Sequence, residues 1–185
     1  MLTSAQLIQQ ITSTIGKVKV IELSKILKEQ QFALHDLIDI TFNENKDIAF
    51  RAAWLLENIY LKEPEQYLND MGYLLKRFPE VSYPSCQRHY AKIIMHITSP
   101  KAPACIQIQL QETDLNLIID KLFDWMIDPK VKIAVKVFAS EALFNMRNNY
   151  TWIAEELANQ IQFLMRDGTM AIQTRGRKIL KLLGS

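Results

Sequence analysis

The sequence predicts an all-α fold: a right-handed α–α superhelix of about four helix pairs, preceded by an extra N-terminal helical segment. Three observations carry this expectation. Apolar residues recur every three or four positions, and no stretch alternates cleanly at period two. Helix formers dominate, with only 5 Gly and 6 Pro among 185 residues. A helix with small residues at its centre, preceded by another apolar helix, is written more than once. Small residues there let two helices approach closely, and repetition lets each pair bury the exposed face of the next.

The first segment spans about Ser4 to Glu29, with Leu7, Ile8, Ile11, Ile15, Val18, Ile21, Ile26 and Leu27 in helical register. Thr3 or Ser4 can cap it, and Gly16 is expected to break or kink it. Phe32 to Phe42 reads as a short helix ended by Asn43, Glu44 and Asn45. Lys46 to Lys62 follows and stops before Pro64. Pro64 suits the first turn of the next helix, which continues through Met71 and Leu75 and ends at Phe78, Pro79 and Glu80. Another helix runs from about Pro84 to Thr98.

Ser99, Pro100, Lys101, Ala102 and Pro103 form the clearest break, and Gln107 to Thr113 adds a polar stretch with Gln at alternate positions. An irregular join near 99–113 is therefore expected inside one helical-repeat domain spanning 1–185. Asp114 caps a helix to Ile127, and Asp128 with Pro129 turns the chain into a second copy that ends near Asn148. The last pair is Trp152 to Arg166 and Met170 to Leu183, joined at Gly168.

The halves align in register. A displacement of 85 residues sets Ile48, Ala49, Phe50 and Arg51 on Ile133, Ala134, Val135 and Lys136, and Tyr67 on Trp152. A displacement of 87 sets Ala52 and Ala53 on Ala139 and Ser140, and Leu56 on Leu143. The second helix therefore slips by two. The pattern of Asp128, Pro129, Val135, Lys136, Ala139, Ser140, Ala142 and Leu143 resembles the HEAT-repeat family of the armadillo-like group. Phe50, Arg51, Ala52, Ala53, Leu55 and Leu56 resemble it with the small residues placed early. Cys86, Arg88, Ala91 and Ile94, and Thr174, Arg175, Ile179 and Leu180, are fainter copies. The resemblance covers about Phe32 to Leu183 and implies an architecture.

The Arg51–Glu57 string is also similar to small bacterial helical-repeat proteins that sometimes carry an adenylosuccinate lyase label. The lyase family's Ser-rich loop with a Met-Pro-x-Lys segment is absent, and the chain is too short for that three-domain fold. No lyase chemistry is expected.

Composition narrows the class. With 49% hydrophobic and 23% charged residues, the chain has enough apolar material for a sizeable core, which argues against disorder. Cys86 and Cys105 form no CxxC pair, and the N-terminus lacks a basic region followed by an apolar one. No apolar run approaches membrane-span length. A cytoplasmic protein with no membrane contact is expected. The formal net charge is +2, but unevenly spread: 13 Lys and Arg face 16 Asp and Glu up to Pro129, and 9 face 4 beyond it. A basic end of this kind can meet an acidic partner.

No motif for chemistry stands out. Cys86, His89 and His96 share a helical stripe, but His89 and His96 lie roughly 10 Å apart along the axis, too far to hold one ion together. His35 with Asp36 and Asp39 has acid–base potential but no nucleophile in a strand-to-helix elbow. Trp125 with Asp128, Lys130, Lys132, Arg175 and Arg177 loosely resembles the aromatic-and-acid set of a HEAT-like DNA glycosylase. The five glycines are scattered and form no phosphate loop. No catalytic residue, metal or cofactor is expected.

What remains is a single basic residue near the start of each second helix: Arg51, Arg88, Lys136 and Arg175, with Arg177 beside the last. The expected function is a non-enzymatic scaffold that binds a peptide or acidic protein segment on the concave face of the second helices. A nucleic-acid-binding or glycosylase-like protein, and a self-associating structural module, are the alternatives. Pairing with acids of the neighbouring repeat, Glu57 or Glu141, is the structural role the basic residues would otherwise have.

Overall fold

The computed structural model describes residues 2–13, 20, 22–25 and 31–184. The expected kink at Gly16 lies outside them. Among the described residues there are helices and no strand.

Helix α1 (Ser4–Ser13) opens with a capping box: Thr3 Oγ1 accepts from the Gln6 amide at 3.3 Å, and Gln6 Oε1 accepts from the Thr3 amide at 3.0 Å. Helix α2 (Leu34–Ile40) is followed by α3 (Lys46–Lys62), whose cap Asn45 accepts from the amides of Asp47 and Ile48. Pro64–Asp70 is a 3-10 segment with a non-helical Tyr67, and only then does α4 (Met71–Arg77) begin. One helix from Pro64 to Leu75 was expected. The non-helical Tyr67 divides the segment, and the Tyr67 carbonyl accepts instead from the Tyr60 hydroxyl at 3.2 Å.

Phe78–Glu80 forms a second 3-10 turn before α5 (Pro84–Ile97). The join is not wholly irregular, because Ala104–Gln111 forms a helix, α6. Ile106, fully buried, and Leu110 sit at i and i+4, and this spacing holds the segment as a helix against Pro64–Asp70. The Gln107 amide group donates to the carbonyls of Pro100 and Ala102 and stitches the preceding turn. Helices α7 (Asn116–Ile127), α8 (Ile133–Met146), α9 (Trp152–Met165) and α10 (Met170–Leu183) follow. Asp114 Oδ1 accepts from the Asn116 amide at the start of α7. Gly184 closes α10 in the left-handed conformation at φ 80°, which a glycine adopts without strain.

The second helices form one layer. α3 packs on α5, α5 on α8, and α8 on α10. Small residues make this closeness possible: Ala49, Ala52, Ala53, Ala91, Ala139 and Ala142 are all fully buried. Gly176 does the same where α10 meets α9, since a Cβ there would stand 2.5 Å from Met165 Sδ and 2.9 Å from Ile161 Cγ2. The first helices α2, α7 and α9 pack on α3, α8 and α10, and α1 covers α2 and α3. Phe78 joins successive pairs, its ring 6.3 Å from Tyr90 in α5 and 5.0 Å from Trp125 in α7. Fully buried side chains of this size each contribute about 1.5–3 kcal/mol, so the layer is held chiefly by apolar contact.

Candidate functional site

One stripe of each second helix remains accessible on the layer's open face. Helical spacing sets Asp47, Phe50 and Trp54 on the α3 stripe, with Glu57 buried beside it, and Arg88, Lys92 and His96 on the α5 stripe. Glu141, Phe144 and Asn145 follow on α8, and Arg175, Lys178 and Leu182 on α10. Contacts across the stripes agree: Lys92 Nζ donates to Glu57 Oε1 at 2.6 Å, the Asn145 amide group donates to the Met95 carbonyl, and Arg175 bonds Glu141.

The five basic residues singled out above do not share one environment. Arg51 Nη1 donates to the Thr12 carbonyl at 2.5 Å and so caps the C-terminal turn of α1. Lys136 is 5% exposed and donates to the Met126 carbonyl at 2.7 Å in the last turn of α7. Burial holds its ammonium pKa below the ordinary lysine value, against the opposing pull of Asp128. These two residues are related by the 85-residue displacement and do the same work, neutralising carbonyls at a helix C-terminus. Arg175 is half-buried and paired with Glu141. Arg177 is exposed and reaches Gln173 one turn earlier on the side of α10 away from the stripe. Arg88 is exposed, and among the described residues its side chain meets no acceptor.

The strongest polar cluster was not anticipated as a unit. Glu57, 6% exposed, accepts from His89 Nδ1 and from Lys92 Nζ, both at 2.6 Å. Burial alone would raise its carboxyl pKa, but the two hydrogen bonds and two charges outweigh it and hold the pKa below the ordinary carboxylate value. The His89 ring lies against Phe50 (5.4 Å) and Trp54 (6.4 Å). The available signal was a carboxylate one turn after Ala53 and three residues before Tyr60, among otherwise buried positions. Its partners stand 32 and 35 residues away, beyond the reach of periodicity.

The other candidates are spread apart. Cys86 is buried, its Sγ facing the Thr41 carbonyl at 3.8 Å, and burial pushes its thiol up to about 11. His89 is committed to Glu57, and His96 lies half-buried with its pKa held down by burial and by Lys92. His35 meets Asp70 at 3.3 Å rather than Asp36 or Asp39, while Asp39 accepts from the Tyr73 hydroxyl. Trp125 is 3% exposed against Phe78 and presents no platform for stacking a base. Trp152 is 48% exposed beside Phe123, and Trp54 is half-buried.

A cavity of about 350 Å³ opens where the C-terminal halves of α5, α8 and α10 meet the Ser99–Lys101 turn. A second, of about 290 Å³, continues past Phe144 and Asn145 toward Leu110 and Leu115. Both lie at the join rather than at the starts of the second helices. Among the described residues, no group of three His, Cys, Asp or Glu side chains is placed to hold a metal ion, and no helix is long and apolar enough to cross a membrane.

Comparison with known proteins agrees with the stacked pairs. A family model described as a HEAT repeat domain matches residues 7–183. No curated protein matches the chain, and no solved structure does.

Proposed function

The chain belongs to the HEAT repeat domain family, and from that premise we propose that it is a non-enzymatic interaction scaffold whose second-helix face binds an acidic protein segment. HEAT repeats generally mediate protein interactions, and the family is typically one of non-enzymatic scaffolds. The observation that carries the finer reading is the charge balance of that face. From Glu57 to α10 its acids are already used, Glu57 by His89 and Lys92 and Glu141 by Arg175, while the exposed Asp47 stands apart in the first turn of α3. Arg88 and Lys178 on the same face have no acceptor among the described residues. The part of the face from α5 to α10, whose anions are internally neutralised and whose cations are not, favours an acidic partner and disfavours a basic one.

Within this reading Arg88 and Arg175 face the partner and Arg177 points away from it. Arg51 and Lys136 act earlier in the chain of causes, by fixing helix ends. A peptide array carrying acidic, neutral and basic 12-residue sequences tests the proposal. The full chain is expected to retain the acidic set, and Arg88→Glu combined with Lys178→Glu is expected to weaken that retention several-fold. Equal retention of acidic and basic peptides, or no response to the double reversal, contradicts it.

A further inference from the structure

The proposed reading leaves open where along the face a partner is gripped, and what it must carry besides charge. The 350 Å³ cavity answers both. Its apolar wall is Met95, Phe144, Ile179 and Leu182, drawn from three successive second helices. Leu182 is 57% exposed and lies one turn after Lys178 on the same stripe of α10. Lys101, from the Pro-bounded turn, and Lys178, from α10, also line the cavity. Both are exposed, and neither side chain has an acceptor among the described residues. The one carboxylate in the lining, Glu141, is held by Arg175. The cavity thus combines an apolar wall with two uncompensated ammonium groups.

Its size sets the scale of the occupant. It lies near the lower end of the range for small-ligand pockets, about 300–1,000 Å³, which suits one side chain with its flanking backbone and not a folded surface. The wall demands an apolar side chain, and the lysines demand carboxylates beside it. We infer that this cavity is the anchor point for an acidic protein segment, which inserts one apolar side chain between α5, α8 and α10 while its flanking carboxylates meet Lys101 and Lys178. The inference rests on the proposed scaffold reading and names residues that reading does not require. Lys101 lies outside every helix, so the join between the halves supplies part of the grip.

Fluorescence anisotropy with the full chain tests it, using labelled nine-residue peptides with a central Leu flanked on each side by four Glu. Replacing every Glu by Gln is expected to weaken binding at least tenfold, and replacing the Leu by Gly about tenfold. Lys101→Glu with Lys178→Glu is expected to lose at least tenfold, and Leu182→Ser several-fold, with circular dichroism unchanged because all three side chains are exposed. Arg177→Glu, on the side of α10 away from the stripe, is expected to change affinity less than twofold. Affinity kept in the Lys101, Lys178 double variant but lost on Arg88→Glu overturns the anchor and leaves the acidic-scaffold reading standing. Failure of every acidic peptide to bind overturns both. Binding of a labelled oligothymidine through the same two lysines, with a steep salt dependence and no peptide binding, also overturns both.

Discussion

The α3–α5 and α8–α10 interfaces each cross one layer with an acid from one helix and a base from the next, but at different depths. Glu57 meets His89 and Lys92 in the interior, with His89 only 2% exposed. Glu141 meets Arg175 where both side chains keep a quarter to a third of their surface in water. A buried carboxylate must be bonded on both oxygens, because an unpaired charge there is costly. A half-exposed pair is relieved by water and contributes little to stability. The first interface therefore fixes the stack, whereas the second leaves side chains nearby free to meet something else. The open cavity and the unpartnered Lys178 lie at the second.

The largest effect that sharpens this contrast belongs to Glu57. Glu57→Ala leaves the buried His89 without its acceptor beside the partly exposed Lys92 and is expected to cost about 3 kcal/mol in urea unfolding. The pH dependence follows from the lowered carboxyl pKa. A group whose folded pKa lies below its unfolded value stabilises the fold above the unfolded pKa and ceases to as pH falls through the folded one. Stability from Glu57 is thus expected to hold above about pH 4.5 and to fade below it, its unperturbed value being 4.5. Glu57→Gln should flatten that acid limb; an unchanged limb would show that the cluster does not set it.

Next come the two matched cations. Lys136→Ala removes a buried charged donor from the Met126 carbonyl and is expected to cost about 2 kcal/mol. Arg51→Ala removes a half-exposed donor from the Thr12 carbonyl, and about 1 kcal/mol is expected. Equal losses would break the view that burial separates the two. Gly176→Ala presses a methyl against Ile161 and Met165, and about 1 kcal/mol is expected after the gain in helix propensity is offset. Smallest is Arg175→Ala, under about 1 kcal/mol by the same unfolding assay. A larger loss there would place the second interface in the same class as the first.

Much of the architecture was legible because its signals are local. Asn45 and Pro64 bracket α3, and the ends expected for it, Lys46 and Lys62, are those observed. The register of Arg51 with Lys136 was readable as repetition, but not its meaning. Nothing near either residue says that it will cap a helix instead of facing solvent, because the carbonyls concerned belong to α1 and α7, 39 and 10 residues away. Helix α6 was hidden by Gln at alternate positions, which masks the i, i+4 pair of Ile106 and Leu110. The cavity was the least legible feature. It assembles side chains from three helices and a turn, and Lys101 stands in a Pro-bounded segment with no periodicity to place it.

The claim that the two interfaces divide stability from binding is tested most directly by methyl NMR of the full chain titrated with the Glu-flanked Leu peptide. Shifts are expected to centre on the methyls of Met95, Ile179 and Leu182, with those of Ile48 and Leu61 in α3 unmoved. Shifts centred on α3, with Leu182 unmoved, would contradict it.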